Sequence, residues 1–144
     1  MTKSGKKPVV FLGHGRSSEW RKVKDFVVET LGLAHEEYNR EETAGLSRKE
    51  RLNAMLQNAG IAFVIMTAED VQDDGTTRAR ENVVHEVGLF QGKLGFERAI
   101  VMLEDGCNEF TNIAGLDQIR FPTRDIMARS EQIRRVLKRE GLLG

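Results

Sequence analysis

Two hydrophobic periods take turns along the chain. Residues 8–13, PVVFLG, form an unbroken apolar run that stops at glycine. The following SSEWRKVKDFVVETLGL repeats Trp20, Val23, Phe26, Val27 and Leu31 at helical spacing. This predicts a strand, a tight turn and an amphipathic helix, with Ser17 or Ser18 as N-cap and Gly32 in the left-handed conformation that ends it. A short second strand is expected near His35–Tyr38. The polar stretch NREETAGLSRKE then predicts an exposed loop, and Ser47 with Glu50 reads as a capping box opening the helix RKERLNAMLQNAG. After Gly60 the run IAFVIMT has strand length and no polar side, as expected of a central strand buried on both faces. A polar loop, AEDVQDDGTTRAR, precedes the predicted helix ENVVHEVGLFQGKLG. RAIVML and LDQIRF follow as fourth and fifth strands, and a last helix is expected over about 125–140 with Ile126, Ile133, Val136 and Leu137 as its apolar contacts. Strands alternating with helices imply crossover connections and hence a parallel sheet. The expected fold is a flavodoxin-like, three-layer α/β domain: a five-stranded parallel sheet with helices on both faces.

With 144 residues, the chain suits one domain spanning 1–144. The ending KREGLLG leaves two readings open. Leu142 and Leu143 either pack back after a helix stop at Gly141, or begin a linker in a domain cut from a longer polypeptide. Twenty-two Lys and Arg balance 22 Asp and Glu, which disfavours nucleic-acid polymers and anionic membranes as partners. No apolar run reaches membrane-spanning length, and a cytoplasmic location fits the single cysteine, Cys107. No metal is expected: Cys and His lack zinc-ligand spacing, and the acids Glu69, Asp70, Asp73 and Asp74 read as a solvated loop.

Open parallel sheets bind ligands beyond the carboxyl ends of their strands. The turn GHGRSS lies there. It is neither a Walker loop nor a full dinucleotide fingerprint, since Ser18 stands where a third glycine would be. Phosphate contact through backbone N–H groups and Arg16, and a plain strand-to-helix turn, both fit. Asn82, Glu86 and Phe90 share one stripe of the third predicted helix, with Val83, Val87 and Leu94 on a neighbouring core-facing one. Glu86 among apolar residues is either a solvated acid or one held in a cleft for a purpose. Gly88 and Gly92 cost helix stability, which suggests close approach by a backbone or ligand. His14 in the first turn could bond phosphate or ribose. His85 points about 100° away from Glu86 on a helix, so it reads as structural.

FLGHGRSSEW, RENVVHEVGLFQGKLG and FTNIAGLDQIRF, in that order, resemble the bacterial TIR (Toll/interleukin-1 receptor) domains of the nucleotide-binding type. Nearly the whole chain is covered. Such domains act as NAD+-cleaving effectors of anti-phage defence, fused to a sensor of a cyclic-nucleotide signal. The resemblance implies that Glu86, in N-V-x-x-E-x-G from Asn82 to Gly88, is the catalytic glutamate. It implies substrate contacts at Gly13, His14, Gly15, Arg16 and Ser17, and adds Trp20, Asn82 and Phe90. For Trp20, base stacking competes with a core role. Asn39–Lys49 matches in location the loop that gates the site and meets neighbouring subunits.

On this resemblance NAD+ is a substrate, with no cofactor required, and activation comes from self-association into oligomers or filaments. Two other function classes stay open: a non-enzymatic TIR scaffold, and a nucleoside deoxyribosyltransferase-like enzyme. The sequence names neither the second messenger nor the linear or cyclic form of the product.

Overall fold

The computed structural model describes residues 9–14, 18–37, 59–68, 70–71, 77–78, 88, 90–92, 94–95, 97–107 and 118–143. Strands β1 (Val9–His14), β2 (Ala34–Glu37), β3 (Ala59–Met66), β6 (Ala99–Glu104) and β7 (Ile119–Phe121) form one sheet in the order β2-β1-β3-β6-β7. Every pairing in it is parallel. The expected flavodoxin-like sheet is therefore present. The fifth strand is shorter than expected, at three residues.

Strand pleating sorts the core into two slabs. Val10, Leu12, Ile61, Phe63, Ile65 and Met102 face one side, where Val23 and Val27 of the first helix and Ile126, Ile133 and Leu137 near the C-terminus cover them. Phe11, Ala62, Val64, Met66, Ala99, Val101 and Leu103 face the other and meet Phe90. Gly88, Phe90–Gly92 and Leu94 are helical, so this side too carries a helical cover. All side chains of β3 from Ile61 to Met66 are buried, which is why that strand reads as one continuous apolar run.

The first helix is α-helical over Glu19–Asp25, with Ser18 at the N-cap position but making no side-chain capping hydrogen bond. Its end differs: Phe26–Thr30 is a π turn, in which Leu31 N–H reaches back to the Phe26 carbonyl at 3.0 Å. The wider turn lets Phe26, Leu31 and Leu33 all lean on the core. Gly32 then takes φ +70°, the left-handed stop expected of it.

At the C-terminus a 3-10 turn, Ile126–Arg129, feeds an α-helix over Ser130–Arg139. It ends in a Schellman-type closure, with Gly141 at φ +84° and Leu142 N–H on the Leu137 carbonyl at 2.9 Å. Leu142 and Leu143 pack back against the core.

The acidic stretch expected as a plain loop instead carries a small antiparallel hairpin. Strand β4 (Asp70–Val71) pairs with β5 (Thr77–Arg78), Asp70 opposite Arg78 and Val71 opposite Thr77. The capping-box helix after Ser47, the Asn39–Lys49 loop and most of the helix bearing Glu86 lie outside the described residues.

Candidate functional site

Strand order reverses beside β1: β2 lies to one side, and β3, β6 and β7 lie to the other. Such a reversal opens a crevice at the carboxyl ends of β1 and β3, where the connections diverge to opposite faces. His14 ends β1 and Glu37 ends β2.

The register pairs Leu12 with Glu37, which sets Glu37 on the face shared by Leu12 and His14. The result is a contact 23 residues apart in sequence: His14 Nε2 lies 2.6 Å from Glu37 Oε2. The short distance marks a charge-assisted hydrogen bond, the imidazole N–H donating to the carboxylate. Trp20, in the first turn of the first helix, lies flat on the same imidazole at 4.3 Å with the planes 7° apart. The Arg21 guanidinium carbon stands 5.7 Å from the indole centroid. One face of Trp20 is thus already covered by His14, and the indole also leans on the core.

A second set of contacts braces the same rim. Glu104, at the end of β6, is buried. Its Oε1 accepts the Ala68 N–H at 3.1 Å and its Oε2 the Arg124 N–H at 3.0 Å. Arg124 is left-handed at φ 60°, and its carbonyl accepts from Lys22 Nζ at 3.0 Å. Lys22 also pairs with the buried carboxylate of Glu19 at 2.7 Å. The loop after β3, the end of β6, the turn after β7 and the first helix are therefore laced together.

Of the expected substrate contacts, Gly13, His14 and Trp20 gather at this carboxyl edge. Phe90 does not stand open to a ligand. It is fully buried, its ring 4.5 Å from that of Phe11 and tilted by 56°, and so packs as part of the core slab. An aromatic with ample apolar area gains more from the slab than from a wet cleft. A methyl group built on Gly92 meets nothing within 4 Å, and both Gly88 and Gly92 are exposed. No close protein packing explains Gly92.

Gly15, Arg16, Ser17, Asn82 and Glu86 lie outside the described residues. Among the described residues no three His, Cys, Asp or Glu side chains group as metal ligands, and no helix is long and apolar enough to cross a membrane. Sequence reading missed Glu37 and Glu104. Each ends a parallel strand, and only for Glu104, after the apolar run Ala99–Leu103, was there a local signal.

A family model described as the TIR domain of CAP12/Pycsar effector proteins matches residues 9–123. The protein called CD-NTase-associated protein 12 in Flavobacterium daejeonense is 26% identical over 131 residues, covering 87% of this chain and 42% of its own length. The one of that name in Lachnospiraceae bacterium (strain RUG226) is 31% identical over 78 residues, 50% of this chain and 25% of that protein. YuaY of Escherichia coli (strain K12), an uncharacterized protein, is 28% identical over 114 residues, 74% of this chain and 38% of its own. The chain spans less than half the length of these relatives.

Proposed function

The chain belongs to the TIR-domain family of CAP12/Pycsar effector proteins, and from that premise we propose that it hydrolyses the nicotinamide–ribose bond of NAD+ as an effector of anti-phage defence. The family match, joined to a parallel sheet whose order reverses beside His14, is the observation that carries this reading. Two relatives named as CD-NTase-associated support a setting in cyclic-nucleotide signalling.

Glu86 is the proposed catalytic carboxylate. Helical spacing counted back from Phe90 supports it, because Glu86 precedes Phe90 by one turn, about 6 Å. Phe90 meets Phe11 in mid-sheet, and Gly13 follows Phe11 by two residues, about 6.6 Å further toward the carboxyl edge. Gly95 and Arg98 turn the chain at the opposite edge, where β6 starts, so counting backward from Phe90 leads toward the crevice.

The chemistry asks for one carboxylate. When the C1′–N bond of NAD+ breaks, both electrons go to the pyridinium nitrogen, which leaves as neutral nicotinamide and needs no proton. Positive charge grows on the ribose. An ionised Glu86 stabilises that oxocarbenium-like state and orients the ribose hydroxyls. Water then adds at C1′ and loses a proton, giving ADP-ribose. Gly15, Arg16 and Ser17 are proposed to hold the diphosphate through backbone N–H groups and the guanidinium, beside the His14–Trp20 stack. Activity is proposed to require self-association, which completes the site with the Asn39–Lys49 loop of a neighbour.

The protein at high concentration, or fused to a forced oligomer, is incubated with NAD+ and free nicotinamide is followed by chromatography. Release is expected, and Glu86→Gln should lower it by about a hundredfold or more without changing the melting temperature by more than a degree or two. An undiminished variant would overturn the assignment. Exchange of deoxynucleosides without nicotinamide release would replace the reading with a transferase.

A further inference from the structure

Glu37 ends the strand beside β1 and shares a face with His14. We propose that Glu37 determines ribose specificity: its carboxylate accepts the 2′-hydroxyl of the adenosine ribose and repels a 2′-phosphate, so that the site takes NAD+ in preference to NADP+. The inference rests on the glycohydrolase reading of the same crevice and names its substrate more narrowly.

Four observations carry it. The first is position. Glu37 stands about 20 residues after the G-x-G of the first turn, at the carboxyl end of the next strand. A dinucleotide lying across a parallel sheet from such a turn brings its adenosine ribose to that strand end. The second is immobility. Oε2 is held 2.6 Å from His14 Nε2, and the imidazole is itself pinned flat against Trp20. The carboxylate cannot swing away from an incoming anion without giving up a charge-assisted bond.

The third is exposure. The Glu37 side chain is 22% exposed and that of His14 12%, enough for a ligand hydroxyl to reach the carboxylate. Little water is left to screen it from a phosphate, and two anions in contact repel strongly in such surroundings. The fourth is acceptor capacity. Oε1 of Glu37 has no partner among the described residues, so a hydroxyl can donate to it while Oε2 keeps its bond to His14. A 2′-phosphate has no proton to offer at neutral pH and brings two further negative charges.

The decisive measurement is the ratio of kcat/KM for NAD+ and NADP+, taken from nicotinamide release by the self-associated protein. The expected ratio favours NAD+ by about tenfold or more, carried by KM. Glu37→Gln keeps an acceptor for the His14 N–H and removes the charge, so it should bring the ratio to within about threefold through a lower KM for NADP+. Glu37→Ser should do the same with a smaller side chain. A wild-type protein that takes both dinucleotides equally would overturn the proposal. So would variants that lose activity on both in parallel, the result of a purely structural contact.

Release from neither dinucleotide would count against the glycohydrolase reading. Calorimetric binding of ADP-ribose and of 2′-phospho-ADP-ribose then judges Glu37 alone. A preference for ADP-ribose that Glu37→Gln abolishes upholds it, whereas equal affinities, or no binding of either, overturn it.

Discussion

The carboxylate of Glu104 has been taken almost wholly out of water and repaid with two backbone N–H donors, from Ala68 and Arg124. Glutamine in its place offers one accepting oxygen and one NH2 group, and the latter would face a donor it cannot satisfy. Glu104→Gln should therefore cost about 1–3 kcal/mol, read as a lower urea midpoint with an unchanged slope. An unshifted midpoint would mean that the rim does not depend on this acid. His14 was legible as a crevice residue because it follows the first apolar run directly. Its partner Glu37 was not, since only the parallel register, Leu12 opposite Glu37, brings residues 23 apart into contact, and no local pattern encodes a register between strands joined by a helix.

At the scale of the element, strands announced themselves where burial on both faces left no polar position, as in Ile61–Met66 and Ala99–Leu103. Helix endings announced themselves where glycine was needed, at Gly32 and Gly141, both of positive φ. The π turn at Phe26–Thr30 escaped because one extra residue in a single turn barely disturbs the apolar spacing.

The same limit explains Phe90. Helical spacing grouped it with Glu86 and could not say which part of that stripe meets the sheet. Its burial against Phe11 predicts that Phe90→Ala loses about 3–5 kcal/mol of stability, measurable by denaturant unfolding. A loss below about 1 kcal/mol would show that the site collapses around the smaller residue.

The C-terminal helix is tied down at the other edge. Glu140 accepts from Arg139 Nε at 2.8 Å and Arg98 Nε at 3.1 Å. Arg98 also donates to the Gly60 carbonyl at 3.0 Å, and Arg139 to that of Glu97 at 2.8 Å. The hydrogen bond from Arg139 leads in holding Glu140 below its ordinary value of 4.5, with Arg98 adding to it and burial opposing. A carboxylate lowered in this way stabilises the fold fully above its unfolded value and ceases to as pH falls through its folded one. Acidification from about pH 5 to about pH 3 should thus reduce the urea midpoint, and Glu140→Gln should make that reduction smaller. Identical acid profiles for the two proteins would remove Glu140 from the account.

For the molecule as a whole, the alternation of strands and helices sufficed to read a parallel three-layer sheet, and with it the edge at which open parallel sheets commonly bind ligands. The order β2-β1-β3-β6-β7 turns that edge into a crevice beside His14. Sequence motifs named Glu86, Asn82, Gly15, Arg16 and Ser17. These residues lie outside the described part of the fold, so their assignment is a proposal that rests on the family match.

Both backbone groups of Arg124 are engaged, its N–H by Glu104 and its carbonyl by Lys22. Lifting any one loop off this rim strands a buried acid with half its donors, at a cost of about 1–3 kcal/mol. The contacts run in sequence from the first helix through Arg124 and Glu104 to Ala68, so a force applied at the first helix is passed on to the loop after β3.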